Sequence, residues 1–250
     1  MSPANERVVV VTGAGSGIGR TVAADLLGRG HTVVLAGRRA EALNETVAGV
    51  ESAAERALAV PTDVTDPTQV ARLFASVEEA FGRCDVLFNN AGSFGPAGAV
   101  DEISAADWDE IWKVNVSGPA FCAGAAVRLM RRTGGGRIIN NASISAHVPR
   151  PESVAYSTTK HAITGLTRSI TLDGRADNIS ATRLDIGNAA TAMTSGMVQA
   201  LQPDGSRRAE PTFDPAHVAT LIADLVDLPF EVAVPELMVM ATGMPFAGRG

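Results

Sequence analysis

Tyr156 and Lys160 stand four residues apart in the stretch Tyr156-Ser157-Thr158-Thr159-Lys160. With no Gly or Pro before Gly165, and with Ala162, Ile163 and Leu166 at helical spacing, the segment reads as a helix. Residues four apart share one helix face, so the phenol and the ammonium are neighbours. A close positive charge favours the phenolate and is expected to lower a tyrosine pKa from its ordinary value of about 10. That brings a proton donor and acceptor toward working pH, as general acid–base chemistry requires. Tyr156 is also the only tyrosine of the chain, so no other phenol can take the role. Alone, the pair reads sooner as an amphipathic Tyr and a solvated Lys on a helix. Its setting decides.

The elements that must position this pair alternate. Val8 to Val11 is a continuous apolar run, as in a strand buried on both faces of a parallel sheet. It ends at Thr12-Gly13-Ala14-Gly15-Ser16-Gly17-Ile18-Gly19, after which Ile18, Val22 and Leu26 recur every four residues on a core-facing helix. Strand, glycine turn and helix offer bare backbone N–H groups and a helix N-terminus to a pyrophosphate. The spacing is Gly13-x-x-x-Gly17-x-Gly19 rather than Gly-x-Gly-x-x-Gly, and the P-loop lysine is missing.

A second strand, Thr32 to Ala36, ends in Gly37-Arg38-Arg39. An acid at this strand end would accept from a ribose 2′-hydroxyl, whereas arginine suits a 2′-phosphate. Gly37 stands where the acid would be, so Arg38 and Arg39 favour the phosphate; otherwise they merely open a solvated helix expected over Ala40–Glu55. Ala57 to Val60 is a third strand, and Asp66-Pro67 opens a helix with Val70, Leu73, Phe74 and Val77 inward. Val86 to Phe88 is a fourth strand that runs into Asn89-Asn90-Ala91-Gly92. Ser104 to Asp107 caps a long helix holding Trp108, Ile111 and Trp112, with Asn115 just before a bend at Gly118-Pro119.

Arg137 to Asn140 begins the fifth strand and Ser143 follows it. Ser180 to Leu184 is the sixth, Met193 to Thr212 a polar and mobile stretch, Asp214-Pro215 the start of a last helix, and Leu237 to Ala241 the seventh strand. Strands alternating with helices and no hairpin signal predict one α/β domain over residues 1–250. It would be a Rossmann-type doubly wound parallel sheet of seven strands in the order 3-2-1-4-5-6-7. Ligands of such sheets gather at the carboxyl ends of the strands, where the glycine turn, Asn89–Gly92, Ser143 and Ile186-Gly187 all fall.

The totals fit that class. The chain has 250 residues, 46% of them hydrophobic and 19% charged, enough to bury a large core. A net charge of −6 argues against nucleic acid or an anionic membrane as partner. Two cysteines, Cys84 and Cys122, indicate no disulfide framework and suit a reducing cytoplasm. The N-terminus, Met1 to Arg7, is polar and carries no visible signal peptide, and no run of eighteen apolar residues occurs. His31, His161 and His217 lack metal-ligand spacing, so no metal is expected.

Together these residues resemble the short-chain dehydrogenase/reductase family in its single-domain branch, over nearly the whole chain. Thr12-Gly13-x-x-x-Gly17-x-Gly19 resembles its cofactor turn, and Asn89-Asn90-Ala91-Gly92 its stabilising motif on the fourth strand. Asn115, Ser143, Tyr156 and Lys160 resemble its catalytic tetrad. The resemblance implies an NADP(H)-dependent oxidoreductase, NAD(H) being the other option, that interconverts a ketone and a secondary alcohol. Tyr156 would exchange the proton, Ser143 would hold the carbonyl oxygen, Lys160 would lower the Tyr156 pKa and bind the nicotinamide ribose, and Asn115 would hold a relay water. Cofactor contacts are implied for Gly13, Ser16, Gly17, Ile18, Gly19, Asn90, Ala91 and Gly92. Asp63 and Val64 would meet adenine, with Ile186, Gly187 and Thr191 near the carboxamide. Ile186-Gly187 replaces the family's Pro-Gly, and Ser16 stands where some NADP-dependent members carry a base.

His147 and Arg150 lie where the family places substrate-facing residues, so one of them is a candidate for a polar or carboxylate group of the substrate. Arg128, Arg131 and Arg132 read as a solvated helix end or as a docking patch for a carrier protein. The family also implies a homodimer or homotetramer through the Trp108–Leu129 and Tyr156–Leu172 helices. Two other functions compete: a non-catalytic nucleotide-sensing regulator, and a 3-oxoacyl reductase acting on a carrier-bound substrate.

Overall fold

The computed structural model describes residues 6–51 and 53–246, the side chains of 196 and 197 excepted. The first five residues of the expected polar N-terminus, and the last four of the expected domain, lie outside them. Five short runs rich in Val, Leu, Ile and Ala form the centre: β1 (Val8–Thr12), β2 (Thr32–Gly37), β4 (Val86–Asn89), β5 (Gly136–Asn141) and β6 (Ile179–Ile186). β3 (Ala57–Pro61) and β9 (Glu236–Val239) are half-buried edges. All pair in parallel, in the order β3-β2-β1-β4-β5-β6-β9. The expected topology holds: a Rossmann-like, doubly wound sheet.

Side-chain alternation along β1 sends Val9 and Val11 into one core and Val8 and Val10 into the other. The first core is closed by α1 (Gly17–Gly28), α2 (Ala40–Ala48) and α7 (Ala216–Asp227). The second is closed by α3 (Pro67–Phe81) and α5 (Gly118–Thr133), which α6 (Val154–Gly174) adjoins. Because the strands run parallel, every loop leaving a strand's carboxyl end opens at the same edge.

Several boundaries differ from expectation, among them the last strand, expected over Leu237–Ala241 and found over Glu236–Val239. The helix expected over Ala40–Glu55 ends at Ala48, capped by Gly49, and a 3₁₀ turn over Ala54–Arg56 leads into β3. Ser52, between them, lies outside the described residues. α4 (Ala105–Trp112) passes into α5 through a π-turn, Lys113–Ser117, so the expected bend is an inserted residue rather than a break. β6 runs two residues beyond the expected Leu184, to Ile186. The Met193–Thr212 stretch, expected without structure, forms a 3₁₀ segment (Ala192–Gln199) and a hairpin of β7 (Ala200–Leu201) with β8 (Arg207–Arg208). That hairpin makes the expected seventh strand the ninth. Among the described residues, no helix is long and apolar enough to cross a membrane.

Candidate active site

At the carboxyl edge of the sheet, a cavity of about 430 Å³ runs from the glycine turn to Tyr156 and Lys160. Gly13 and Gly17 take φ of +69° and +50°, left-handed values that favour glycine. A Cβ on Gly19 would lie 2.3 Å from the Gly13 carbonyl oxygen, so the helix can approach the strand only without one. Ser16 precedes α1 and makes no side-chain cap, which leaves the first N–H groups of the helix facing the cavity mouth. A bare, positively polarised cradle of this kind suits the pyrophosphate of a dinucleotide.

The floor is built by asparagines at strand ends. Thr12 Oγ1 accepts from the N–H groups of Asn90 (2.9 Å) and Ala91 (3.0 Å), and Asn90 Nδ2 donates to the Thr12 carbonyl (2.9 Å). Asn141 Nδ2 donates to Asn90 Oδ1 at 3.0 Å, while Asn89 Nδ2 reaches Asn140 Oδ1 at 2.9 Å. These amides lock β1, β4 and β5 into register where the strands stop. Asn115, carried inward by the π-turn, is buried; it donates to the Ser93 carbonyl (2.8 Å) and Thr159 Oγ1 (3.1 Å) and accepts from Ser93 N–H (2.9 Å).

Of the expected site residues, Gly13, Ser16, Gly17, Ile18, Asn90, Ala91, Gly92, Ser143, Tyr156, Lys160, Ile186, Gly187 and Thr191 line this one cavity. Gly19 packs behind it and Asn115 braces it from Gly92, whose Cβ position lies 3.2 Å from Asn115 Oδ1. Arg38, Arg39, Asp63 and Val64 lie outside it, toward β2 and β3. The arginine side chains are exposed and make no hydrogen bond or ion pair among the described residues. Asp63 accepts from Thr65, and Val64 is buried against Gly118.

One expectation is overturned. The neighbouring Lys160 does not bring the phenol pKa below its ordinary value. Its Nζ donates to the Asn141 carbonyl at 2.8 Å and sits 5.5 Å from the centre of the Tyr156 ring. Burial pushes the Tyr156 phenol up to about 12, against hydrogen bonding with Ser143 and the charge of Arg150, which pull it down. Burial also pushes the Lys160 ammonium down to about 8, opposed by the carboxylate of Asp185. At neutral pH, the phenol therefore holds its proton and the lysine its charge.

The two substrate-side candidates diverge. Arg150 lines the cavity and is held by Glu210 (2.6 Å) and Asn188 (3.0 Å). His147 does not line it; its Nε2 lies 2.7 Å from Asp185 Oδ2 and 2.9 Å from an Arg183 nitrogen. A protonated Nε2 donates to the carboxylate and cannot also accept from Arg183. Glu210 and Asp185 escaped the sequence reading. Arg150 and Glu210 are 60 positions apart, with no local signal, and Asp185 falls in the loop that was expected after Leu184. Of the basic trio, Arg131 pairs with Asp177 (2.6 Å) and Arg132 with Glu78 (2.9 Å), so most of that patch is neutralised.

A glycine cradle, an asparagine floor and a Ser–Tyr–Lys wall on a doubly wound sheet define a nucleotide-dependent oxidoreductase site. The family model described as short chain dehydrogenase matches residues 7–202, and the chain belongs to that family. Cis-4-hydroxycyclohexanecarboxylate dehydrogenase of Sinomonas cyclohexanicum is 37% identical over 226 residues, 88% of this chain and 90% of that one. A 3beta-hydroxysteroid dehydrogenase of Mediterraneibacter gnavus is 35% identical over 190 residues, 76% of this chain and 68% of that one. In structure, an alcohol dehydrogenase from the archaeon Thermococcus sibiricus, complexed with 5-hydroxy-NADP, superimposes with a TM-score of 0.83 at 26% identity, covering 95% of this chain and 97% of that one. The protein is accordingly an enzyme of the dehydrogenase/reductase type that acts on hydroxyl and keto groups, with a nicotinamide cofactor.

Proposed function

We propose that the chain is a single-domain NADP(H)-dependent oxidoreductase that interconverts a ketone and a secondary alcohol, with Tyr156 as general acid and base. The observation that carries this is the meeting of Ser143, Tyr156 and Lys160 on one wall of the cavity whose other end is the glycine turn. The bound cofactor supplies or accepts the hydride. Tyr156, protonated at neutral pH, gives its phenolic proton to the carbonyl oxygen during reduction and takes it back during oxidation. Ser143 donates a hydrogen bond to the same oxygen and fixes its position. The Lys160 ammonium stabilises the phenolate that Tyr156 becomes, and binds the ribose next to the nicotinamide. Asn115, pinned by Thr159, holds the Ser93 backbone and a relay water beside Lys160.

Gly13, Ser16, Gly17, Ile18 and Gly19 take the pyrophosphate, Asp63 and Val64 the adenine, and Asn90 to Gly92 the adjoining ribose. Ile186, Gly187 and Thr191 take the carboxamide. Arg38 and Arg39, free at the end of β2 with Gly37 in place of an acid, take a 2′-phosphate. The enzyme works in the cytoplasm on a small molecule. Phe121 on α5 and Leu172 on α6, 39% and 64% exposed, support a homodimer or homotetramer built on those helices. The ring alcohol in the name of the Sinomonas relative makes cyclic ketones the first substrates to screen.

Paired fluorescence titrations with NADPH and NADH, on the protein and on Arg38→Ala, test the reading. Tighter NADPH binding, lost by roughly tenfold or more in the variant, is expected for a lost phosphate contact. Equal affinities would remove the 2′-phosphate assignment. Binding without turnover would favour a nucleotide-sensing regulator, and turnover confined to carrier-bound substrates would favour an acyl-carrier reductase.

A further inference from the structure

Behind the wall that carries Ser143, a second group of charges packs between β6 and α6. Arg183 and Asp185 point to the α6 face of β6, since Leu184 and Ile186 between and beyond them belong to the opposite core. Arg183 donates to Thr164 at 3.2 Å. Two residues along a strand advance about 6.6 Å, and one helix turn about 5.4 Å. α6 leads back into the parallel β6 and so runs against it. One step from Arg183 to Asp185 therefore matches one turn from Thr164 back to Lys160.

Asp185 is 1% exposed, and only one of its oxygens is used. Oδ2 accepts from Arg183 Nε (2.9 Å) and faces His147 Nε2 (2.7 Å). Oδ1 is buried with no hydrogen-bond partner among the described residues. The Arg183 guanidinium is itself shared with Glu236 on β9, at 3.1 Å. The charged and titratable groups around Asp185 are thus Lys160 on α6, His147 in the turn after β5, Arg183 beside it, and Glu236 on β9 through the shared guanidinium. Half a cation and one imidazole leave a carboxylate under-compensated, and a buried, unpaired carboxylate oxygen is costly unless a positive charge lies near.

We propose that Asp185 is a positioning residue for Lys160, its unshared oxygen being the buried counter-charge that keeps the lysine an ammonium beside Tyr156. It never meets substrate. The Asn141 carbonyl orients the ammonium, and Asp185 supplies the charge that keeps it protonated despite burial. The inference rests on the reading of Lys160 as the partner of the reacting tyrosine, but its test needs no substrate.

The chain has only two lysines, Lys113 and Lys160, so ¹³C-ε-lysine NMR gives two signals, with the exposed Lys113 as internal reference. In the intact enzyme, Lys160 should titrate near 8. In Asp185→Asn its midpoint should fall by about one pH unit or more, the usual effect of losing a nearby opposite charge. A merely structural role gives the opposite sign: a loosened site hydrates Lys160 and moves its midpoint up, toward an ordinary lysine. An upward or absent shift overturns the proposal. Should Asp185→Asn not fold, Asp185→Ser is read in the same way. The unmodified protein gives a further reading: the assigned Asp185 carboxyl carbon should shift at the Lys160 midpoint, and a flat trace there overturns the proposal. Failure to turn over any ketone would count against the proposed function and leave these titrations unaffected.

Discussion

The two ends of the sheet both bury charge, and they use it differently. At the amino edge, Asp85 accepts from Val8 N–H (2.8 Å) and from Arg83 Nε (2.9 Å). The fully buried Arg137 at the start of β5 sends its two terminal nitrogens to the carbonyls of Leu225, Leu228, Pro229 and Val232, around the C-terminus of α7. The Leu225 carbonyl is an orphan acceptor of that helix end, since residue 229 is a proline with no N–H, and a cation there is also favoured by the helix dipole. Both terminal nitrogens of that charge are consumed by backbone, and only its Nε lacks a partner among the described residues. At the carboxyl edge, Lys160, Asp185 and Tyr156 are buried with capacity left over: an unused carboxylate oxygen, a phenol pushed up and an ammonium pushed down. Saturated charge closes a fold, and unsaturated charge is available for chemistry.

The largest effect that would break this comparison is at Tyr156. Tyr156→Phe keeps the ring against Phe94, whose centroid lies 4.7 Å away, and removes only the proton. Turnover should drop roughly 10²- to 10⁴-fold, the usual worth of a general acid, with cofactor affinity and melting temperature unchanged. Steady-state kinetics with an NADPH titration checks it. Retained turnover would place the proton elsewhere, since the chain offers no second tyrosine.

Arg137→Met is the converse at the saturated end. It takes the guanidinium from the buried Leu225 carbonyl, and a buried acceptor left unmatched costs about 1–3 kcal/mol, whereas Pro229 keeps its bond from the Val232 N–H. Stability should fall by about 1–3 kcal/mol in denaturant titration, while kcat per folded molecule stays put. A variant that loses kcat without losing stability would erase the distinction between the two ends.

Changing pH acts on both properties of one group. The Lys160 pKa is lowered from 10.5 to about 8 by burial, so between those values the unfolded chain binds more protons than the folded one. From this group, stability therefore rises with pH across that window. Ketone reduction should decline over the same window, as Lys160 loses the charge that stabilises the phenolate. Thermal melts and initial rates from pH 7 to 10 should diverge. Parallel curves would mean that Lys160 is not the group titrating.

The first, second and fourth strands were legible because each is a short apolar run that meets Gly or Asn at its carboxyl end, a pattern fixed by burial on both faces. The places of the glycine turn, Asn89–Gly92 and Ser143 on one edge followed from that topology, and those of Asn115, Tyr156 and Lys160 beside them from the family resemblance. The sign of the Tyr156 shift did not. Helical spacing tells that two side chains share a face, but not that the lysine reaches for the Asn141 carbonyl or how little water the phenol meets. Ending the sixth strand at Leu184 left Asp185 in an expected loop, where an acid attracts no notice. The β7–β8 hairpin has two residues per strand, too few for any alternation to register.

The smallest predicted effect refines the comparison, because it concerns a saturated carboxylate at the carboxyl edge. Asp66, after β3, caps α3 by accepting from Thr68 N–H (2.8 Å), Gln69 N–H (3.4 Å) and Gln69 Nε2 (3.0 Å). Bonding to the Gln69 side chain, and then to the Thr68 backbone, holds its carboxyl below the usual range. A depressed folded pKa gives stability that is present above the unfolded value and is lost as pH falls through the folded one. Asp66→Ala should therefore lower the melting temperature slightly at pH 7, and the difference from the parent should vanish in acid. Gln69 also accepts from the Asp63 N–H at 2.9 Å, so the cap is one bond from a residue assigned to the adenine. If saturation marks structure wherever it occurs, NADPH affinity will not move with the melting temperature. A coupled loss of both would mean that the cap, though saturated, sets the geometry of the cofactor edge, and that saturation separates fold from chemistry only for fully buried charge.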